Sequence, residues 1–364
     1  MKFQTIIFRL VLFLLIVLSS CQTNDSLVVK SSSPALKYSG RIDSSGRDLV
    51  NFFWSGTGVE LNFAGTDVDV FIQDESGDNY YTVILDEDST FIFRPTTKKK
   101  YHTLVSGLSG KKHHIKLFKN TEYDRGKTSF FGFRISGNPE LLSRPATKSK
   151  KMEFYGNSIT AGYAVTDYSG NDSPDGIFTN HYLSYAALTA RHFDADYHCI
   201  CKSGIGITIS WFPQIMPEIY NRLDPREPDS RWNFDLFKPD IVVINLFQND
   251  SWLINMPEHE QFKARFNEEK PTEQVLIHAY KNFVYTLRTH YPDAHIICVL
   301  GPMDATREES PWPGYIERAV ESLDDSKIYT HFIPYKNTPG HPRVEEQKVI
   351  AQRIIEFISD TIGW

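Results

Sequence analysis

Four short segments carry side chains suited to acyl transfer. The first reads Phe154-Tyr155-Gly156-Asn157-Ser158-Ile159-Thr160-Ala161-Gly162. A serine just past a strand and at a helix start presents its hydroxyl beside backbone N–H groups that favour developing negative charge. Thr160 departs from the Gly-x-Ser-x-Gly elbow, and the competing use of such a serine is a helix N-cap. The second reads Ser203-Gly204-Ile205-Gly206-Ile207, where glycine either forms a turn or brings a backbone N–H close to a ligand. In the third, Asn245-Leu246-Phe247-Gln248-Asn249-Asp250, an amide past a buried strand either donates to an oxyanion or caps a turn. The fourth, Thr338-Pro339-Gly340-His341-Pro342-Arg343, puts a histidine where it can serve as base to a serine on a neighbouring loop, or lie on the surface.

These segments need a frame, and the surrounding pattern predicts one. From Met152 onward, strand-like and helix-like stretches alternate. Met152 to Tyr155, Tyr197 to Lys202, Ile241 to Leu246 and Ala294 to Leu300 read as strands. Tyr182 to Phe193, Glu273 to His290 and Val344 to Ile362 read as helices. Such alternation predicts a parallel sheet with helices on both faces, a three-layer α/β/α domain over 148–364. In such sheets, reactive groups lie on loops past the carboxyl ends of the strands, so all four segments share one rim.

The region 37–145 has a different pattern. Phe52, Trp54, Val59, Leu61 and Phe63, then Val68, Val70 and Ile72, alternate with polar residues between turn signals such as Gly65 and Gly77. Short strands at this spacing predict an antiparallel β-sandwich or jelly roll. The basic stretch Lys148 to Lys151 reads as the end of a linker.

The order Ser, Gly, Asn, His, each at a strand end or before the last helix, resembles the SGNH (GDSL-like) hydrolase superfamily. The Gly156-Asn157-Ser158-Ile159-Thr160 block and the preceding sandwich are most similar to carbohydrate esterase family 2. Tyr38-Ser39-Gly40-Arg41-Ile42-Asp43 also resembles the opening of that family's sandwich domain. The resemblance implies an acetyl esterase acting on sugars and glycans without metal or organic cofactor. Ser158 is then the nucleophile and His341 the base. The Ser158 and Gly204 amides and the Asn249 side chain form the oxyanion hole, with Gly206 as the alternative to Gly204. Two residues depart from the superfamily pattern. Thr338 stands where an aspartate is usual, which predicts a Ser-His dyad whose imidazole is held by a backbone carbonyl. Phe247 stands where glycine is usual, which narrows the acyl pocket or alters how the loop meets substrate. Trp252 and Trp211 lie beside the rim segments and are candidate sugar platforms. The alternatives on the same frame are an esterase or thioesterase for other acyl groups, and a glycan-binding lipoprotein without turnover.

A chain of 364 residues accommodates both domains, and a net charge of −6 argues against a nucleic-acid partner. The start reads as a secretory leader, residues 1–20: Lys2 and Arg9, then an apolar run from Leu10 to Leu18. Leu18-Ser19-Ser20-Cys21 resembles a lipobox, which implies lipidation of Cys21, a membrane anchor and a periplasmic or cell-surface place. Residues 21–36, with Ser31-Ser32-Ser33-Pro34, read as a polar tether. Cys199, Cys201 and Cys298 read as buried free thiols, because neither disulfide geometry nor zinc-ligand spacing suits them.

Overall fold

The computed structural model describes residues 25–267 and 269–364; the leader and Cys21 lie outside them. Two six-stranded antiparallel sheets pack face to face in the N-terminal part. One runs Ile42–Asp43, Val50–Phe52, Thr128–Ser136, Asp67–Asp74, Lys100–Val105. The other runs Glu140–Leu141, Gly58–Ala64, Lys112–Lys119, Tyr81–Leu85, Ser89–Phe93, with Lys37–Ser39 paired to Gly58–Ala64. The strand Asp67–Asp74 shows why they pack: Val68, Val70 and Ile72 are fully buried while the residues between them face outward. Phe52, Phe63, Phe130 and Phe133 fill the space between the sheets.

The tether reading of residues 21–36 is corrected for its second half. Ser26–Lys30 is a strand, paired antiparallel with Thr128–Ser136 from Ser26↔Ser136 to Lys30↔Gly132. Leu27, Val28 and Val29 have the β propensity for it, and pairing satisfies backbone groups that a tether leaves to water. The sandwich therefore begins about ten residues before the expected boundary at 37.

The second domain is a five-stranded parallel sheet. Its spatial order is Ala195–Cys201, Lys150–Gly156, Ile241–Asn245, His295–Leu300, Ile328–Phe332. In chain order this is 2-1-3-4-5, a doubly wound arrangement whose switch point lies beside the first strand. Glu273–His290 and Trp312–Glu321 pack on one face, and Tyr185–His192 and Val344–Thr361 on the other. The last strand and the Trp312–Glu321 helix escaped the sequence pattern.

Charged and aromatic groups seal the two domains together. Arg41 of the sandwich is almost completely buried, 3.0 Å from the fully buried Glu153 of the first parallel strand. The same guanidinium meets the Tyr155 hydroxyl at 3.0 Å and the Tyr220 carbonyl. Burial pushes the Glu153 carboxyl up, but Arg41 overrides this and holds its pKa down at about 2. Trp54 donates its indole N–H to the Arg222 carbonyl at 3.3 Å, and Lys37 pairs with Asp196 at 2.7 Å.

Candidate active site

Ser158 opens the short helix Ser158–Ala161, directly after the strand that ends at Gly156. The N-cap is Asn157, whose side chain accepts from the Ile159 N–H at 3.0 Å. The capping duty therefore falls on the neighbour, and the Ser158 hydroxyl is free for another partner. That partner is His341, with Nε2 2.8 Å from Ser158 Oγ. Gln347 of the last helix fixes this approach. It accepts from the Tyr185 N–H at 2.8 Å and donates to the Ile159 carbonyl at 3.0 Å.

The expected dyad is corrected to a triad. His341 Nδ1 lies 2.6 Å from Asp172 Oδ2, and the same carboxylate accepts the His341 backbone N–H at 2.9 Å. Arg343 Nη2 reaches the other oxygen at 2.6 Å. A carboxylate only accepts, so Nδ1 carries the proton and Nε2 is left to accept from Ser158. Partial burial pushes the Asp172 carboxyl up, but His341 and Arg343 win and hold it well below the usual carboxylate range. Tyr163 lies edge-on to His341 at 4.9 Å and bonds the Asp172 carbonyl at 3.1 Å. Thr338 plays no such part, since its hydroxyl is bonded to Glu346. The acid comes from the loop after the serine helix and not from the histidine loop. The only sequence signal for it was an aspartate among Ser169-Gly170-Asn171-Asp172-Ser173, rim-loop residues past the first strand.

On the other side of Ser158, strand register sets three loops abreast. Gly156 stands opposite Cys201 on one neighbour and Asn245 on the other. Gly204 has φ +82°, and its N–H has no partner among the described residues. The alternative, Gly206, is excluded because its N–H is spent on Ser210 Oγ at 2.9 Å. A side chain there would also run into the Asp250 carboxylate and the Ile209 carbonyl, its Cβ coming to 2.4 and 2.0 Å. Asp250 thus closes over this loop. It accepts from the N–H groups of Ile207, Thr208 and Ile209 and from the Thr208 hydroxyl, at 2.6–3.3 Å. Burial pushes its pKa up against the pull of these donors.

Asn249 is held by both ends of its amide. Oδ1 accepts from Trp211 Nε1 at 3.1 Å, and Nδ2 donates one hydrogen to the Ile205 carbonyl at 2.8 Å. The second Nδ2 hydrogen remains for a ligand. Trp211 is 41% exposed, so the ring that orients this amide also faces solvent. Trp252 is half-buried, its N–H tied to Asp304 at 3.0 Å.

The alternative in which Phe247 narrows the acyl pocket is corrected. Its side chain is fully buried, 4.7 Å from the Tyr280 ring and 5.0 Å from the Trp312 ring. Its backbone is left-handed at φ +85°, a conformation that explains why glycine suits this place. The aromatic packing offsets the strain.

Cys199, Cys201 and Cys298 are buried free thiols. The first two lie with His181 in a group whose ligand atoms are within 4.8 Å of one another. Burial pushes the Cys199 thiol well above its ordinary pKa, which opposes the thiolate a metal needs. A groove of about 700 Å³ between the domains, lined by Lys37, Glu60, His114 and Arg191 among others, does not border Ser158. The triad, not cavity size, marks the site.

A serine hydroxyl bonded to a histidine–aspartate pair, beside a free glycine N–H and an oriented amide, is the equipment of a serine hydrolase. The comparisons place that class within a family. Residues 38–145 match the carbohydrate esterase 2 N-terminal family, and 154–331 the GDSL-like lipase/acylhydrolase family. A family two carbohydrate esterase from Clostridium thermocellum, solved in complex with cellohexaose, is 33% identical, with a TM-score of 0.80 over 90% of this chain and 99% of that one. This chain belongs to carbohydrate esterase family 2. Cellulase/esterase CelE of Acetivibrio thermocellus is 33% identical over 93% of this chain, which spans 41% of that protein's length. An acetylxylan esterase / glucomannan deacetylase of Cellvibrio japonicus is 21% identical over 95% of this chain and 96% of that protein.

Proposed function

We propose that this protein is a serine esterase that removes O-acetyl groups from plant-type polysaccharide. The observation that carries the reading is the unbroken chain of bonds from Ser158 through His341 to Asp172. Ser158 Oγ attacks the acetyl carbonyl carbon and its proton passes to His341 Nε2. The N–H groups of Ser158 and Gly204 and the Asn249 amide receive the oxyanion. His341 gives its proton to the departing sugar oxygen, leaving acetyl-Ser158. Water then attacks that ester, its proton passes to His341, and acetate leaves as the proton returns to Ser158. Asp172 holds the imidazole tautomer and stabilises the imidazolium. Trp211 offers its exposed ring to a sugar face. The relatives' names support the substrate class: one is solved with cellohexaose and another is named for acetylxylan and glucomannan.

The test is acetate release from 4-nitrophenyl acetate, acetylated xylan and acetylated glucomannan, comparing wild type with Ser158→Ala. The expected result is turnover that favours the acetylated glycans and vanishes in the variant. A folded wild type inert on every ester sinks the reading.

The lipobox-like Leu18-Ser19-Ser20-Cys21 supports a lipid anchor at Cys21 and a place on the cell envelope, where several acyl chains on one residue make a lasting attachment. Fractionation of cells making wild type or Cys21→Ser tests this. Wild type belongs with membranes and the variant does not; identical distributions refute the anchor.

A further inference from the structure

The sandwich touches the hydrolase domain at one place where contact bears on chemistry. Its segment 120–125 follows the strand Lys112–Lys119 and is bonded to Lys202 and Ser203 of the loop that carries Gly204. Glu122, at 5% exposure, accepts the Ser203 hydroxyl at 2.5 Å and also the Ser203 backbone N–H. Both bonds fall on the residue before the proposed oxyanion donor. The peptide between Ser203 and Gly204 bears that N–H, so fixing Ser203 fixes the direction in which the donor points.

A bare carboxylate here works against an oxyanion. Lys202 offsets it: its ammonium lies 2.9 Å from Asp124 and 3.8 Å from Glu122, and is only 12% exposed. Burial opposes the charge on Lys202, but Glu122 and Asp124 outweigh it and raise its pKa. From the same segment, Arg125 donates to the Pro174 carbonyl, two residues past Asp172, and pairs with Asp78 at 2.5 Å.

Resting on the serine-esterase reading above, we propose that Glu122 is a positioning residue of the oxyanion hole, supplied by the sandwich domain. The hydrolase domain holds Asn249 by its own contacts and ties the Gly204 carbonyl to the Trp211 N–H at 3.0 Å, whereas the peptide that bears the Gly204 N–H is held at Ser203 from the other domain. The sandwich is thus part of the catalytic apparatus, and not only a neighbour or a glycan-binding appendage.

The test uses the full chain with Glu122→Ala and Glu122→Gln. Active sites are first titrated with an organophosphate that labels Ser158, so that lost folding is not read as lost rate. Glu122→Ala is expected to lower kcat per titrated site by roughly 10- to 100-fold with KM within about 2-fold, because a misaimed donor acts on the transition state. Glu122→Gln keeps an acceptor oxygen for Ser203 and is expected to restore kcat to within about 3-fold of wild type. Hydrogen–deuterium exchange over 202–205 is expected to quicken in the alanine variant and not in the glutamine one. Wild-type kcat in Glu122→Ala overturns the proposal, as does unchanged exchange. If the alanine variant fails to fold, a glutamine variant as slow as an oxyanion-donor deletion overturns it, and one near wild type supports it. A wild type that releases no acetate defeats the esterase reading instead, and the exchange measurement then decides the placement of the 202–205 loop alone.

Discussion

Two loops flank Ser158, and they are built on opposite plans. The oxyanion loop, 203–210, is mostly buried: Ile205, Ile207 and Ile209 are at most 1% exposed, and Asp250 binds three of its N–H groups. The acid loop, 163–175, starts from the buried Ala164 and Val165 and then runs out into solvent. Ser169, Gly170 and Asn171 are exposed, and Tyr168 is 72% exposed. Polar bonds alone shape its tip, with Asp167 accepting from the N–H groups of Ser169 and Ser173 at 2.9 and 2.6 Å. An oxyanion donor has to hold its place to a fraction of an ångström. An acid that orients a histidine tolerates more, because His341 brings two N–H groups to it.

The comparison is sharpest where rate and stability separate. Asp172→Asn is expected to lower kcat by about 10⁴-fold, the scale for losing the correct histidine tautomer. The melting temperature should fall only modestly, since the tip of this loop buries little and the ion pair lost to Arg343 is partly exposed. Acetate release beside thermal melts checks both, and a large drop in melting temperature breaks the contrast. Asp250→Ala on the buried loop should lose both together, abolishing turnover and costing about 3–5 kcal/mol of stability, because three buried N–H groups lose their acceptor. Urea unfolding measures it, and a loss under about 1 kcal/mol would show that the loop has other support. Asn249→Ala should remove about 2.7–4 kcal/mol of transition-state stabilisation with KM little changed; steady-state kinetics on acetylated xylan decides.

Phe247→Gly tests the same buried side more gently. Losing the packed ring costs about 3–5 kcal/mol and relief of the left-handed backbone returns about 1–2, so the net loss is about 1–4 kcal/mol. Equilibrium unfolding reads it, and a neutral result means that the ring contributes less than its burial indicates. The smallest effect concerns Lys119, fully buried beneath segment 120–125 and donating to the Thr121 and Glu122 carbonyls at 2.7 and 3.1 Å. Burial lowers its pKa from 10.5 to about 7. The unfolded chain thus holds a proton up to pH 10.5 that the folded chain releases near 7. Stability contributed by this group is least below pH 7 and rises between about 7 and 10.5. The stability difference between wild type and Lys119→Met should therefore shift in favour of wild type across that window; a flat difference refutes the burial argument.

The same contrast explains what the sequence made legible. Ser158, Gly204 and Asn249 sit just past buried strands, whose apolar runs announce them, and His341 sits just before an amphipathic helix. Asp172 has no such marker. It stands 169 residues from His341 in a polar loop, and only the folded backbone brings the two together. The missing aspartate at Thr338 pointed to a dyad because the histidine loop was the expected source. Glu122 was hidden in the same way, in a turn of the other domain. The strand Ser26–Lys30 was masked by the serine run after it, whose composition suits a tether equally well. Of the two readings of Phe247, the narrowed pocket fails because the sequence does not show that Tyr280 and Trp312 draw the ring inward.

The buried pair of Arg41 and Glu153 has a consequence for how this protein is made. A chain threading out N-terminus first completes its sandwich while Arg41 still waits for a partner encoded 112 positions later. Until the first parallel strand arrives, the guanidinium stays hydrated; afterwards, each charge is the other's main compensation for desolvation, with Tyr155 bonded to both. A partner domain that closed the same seam without the matching charge would strand an ion in it. Each domain has the architecture of a module, yet the seam ties either one to a partner that carries the matching charge.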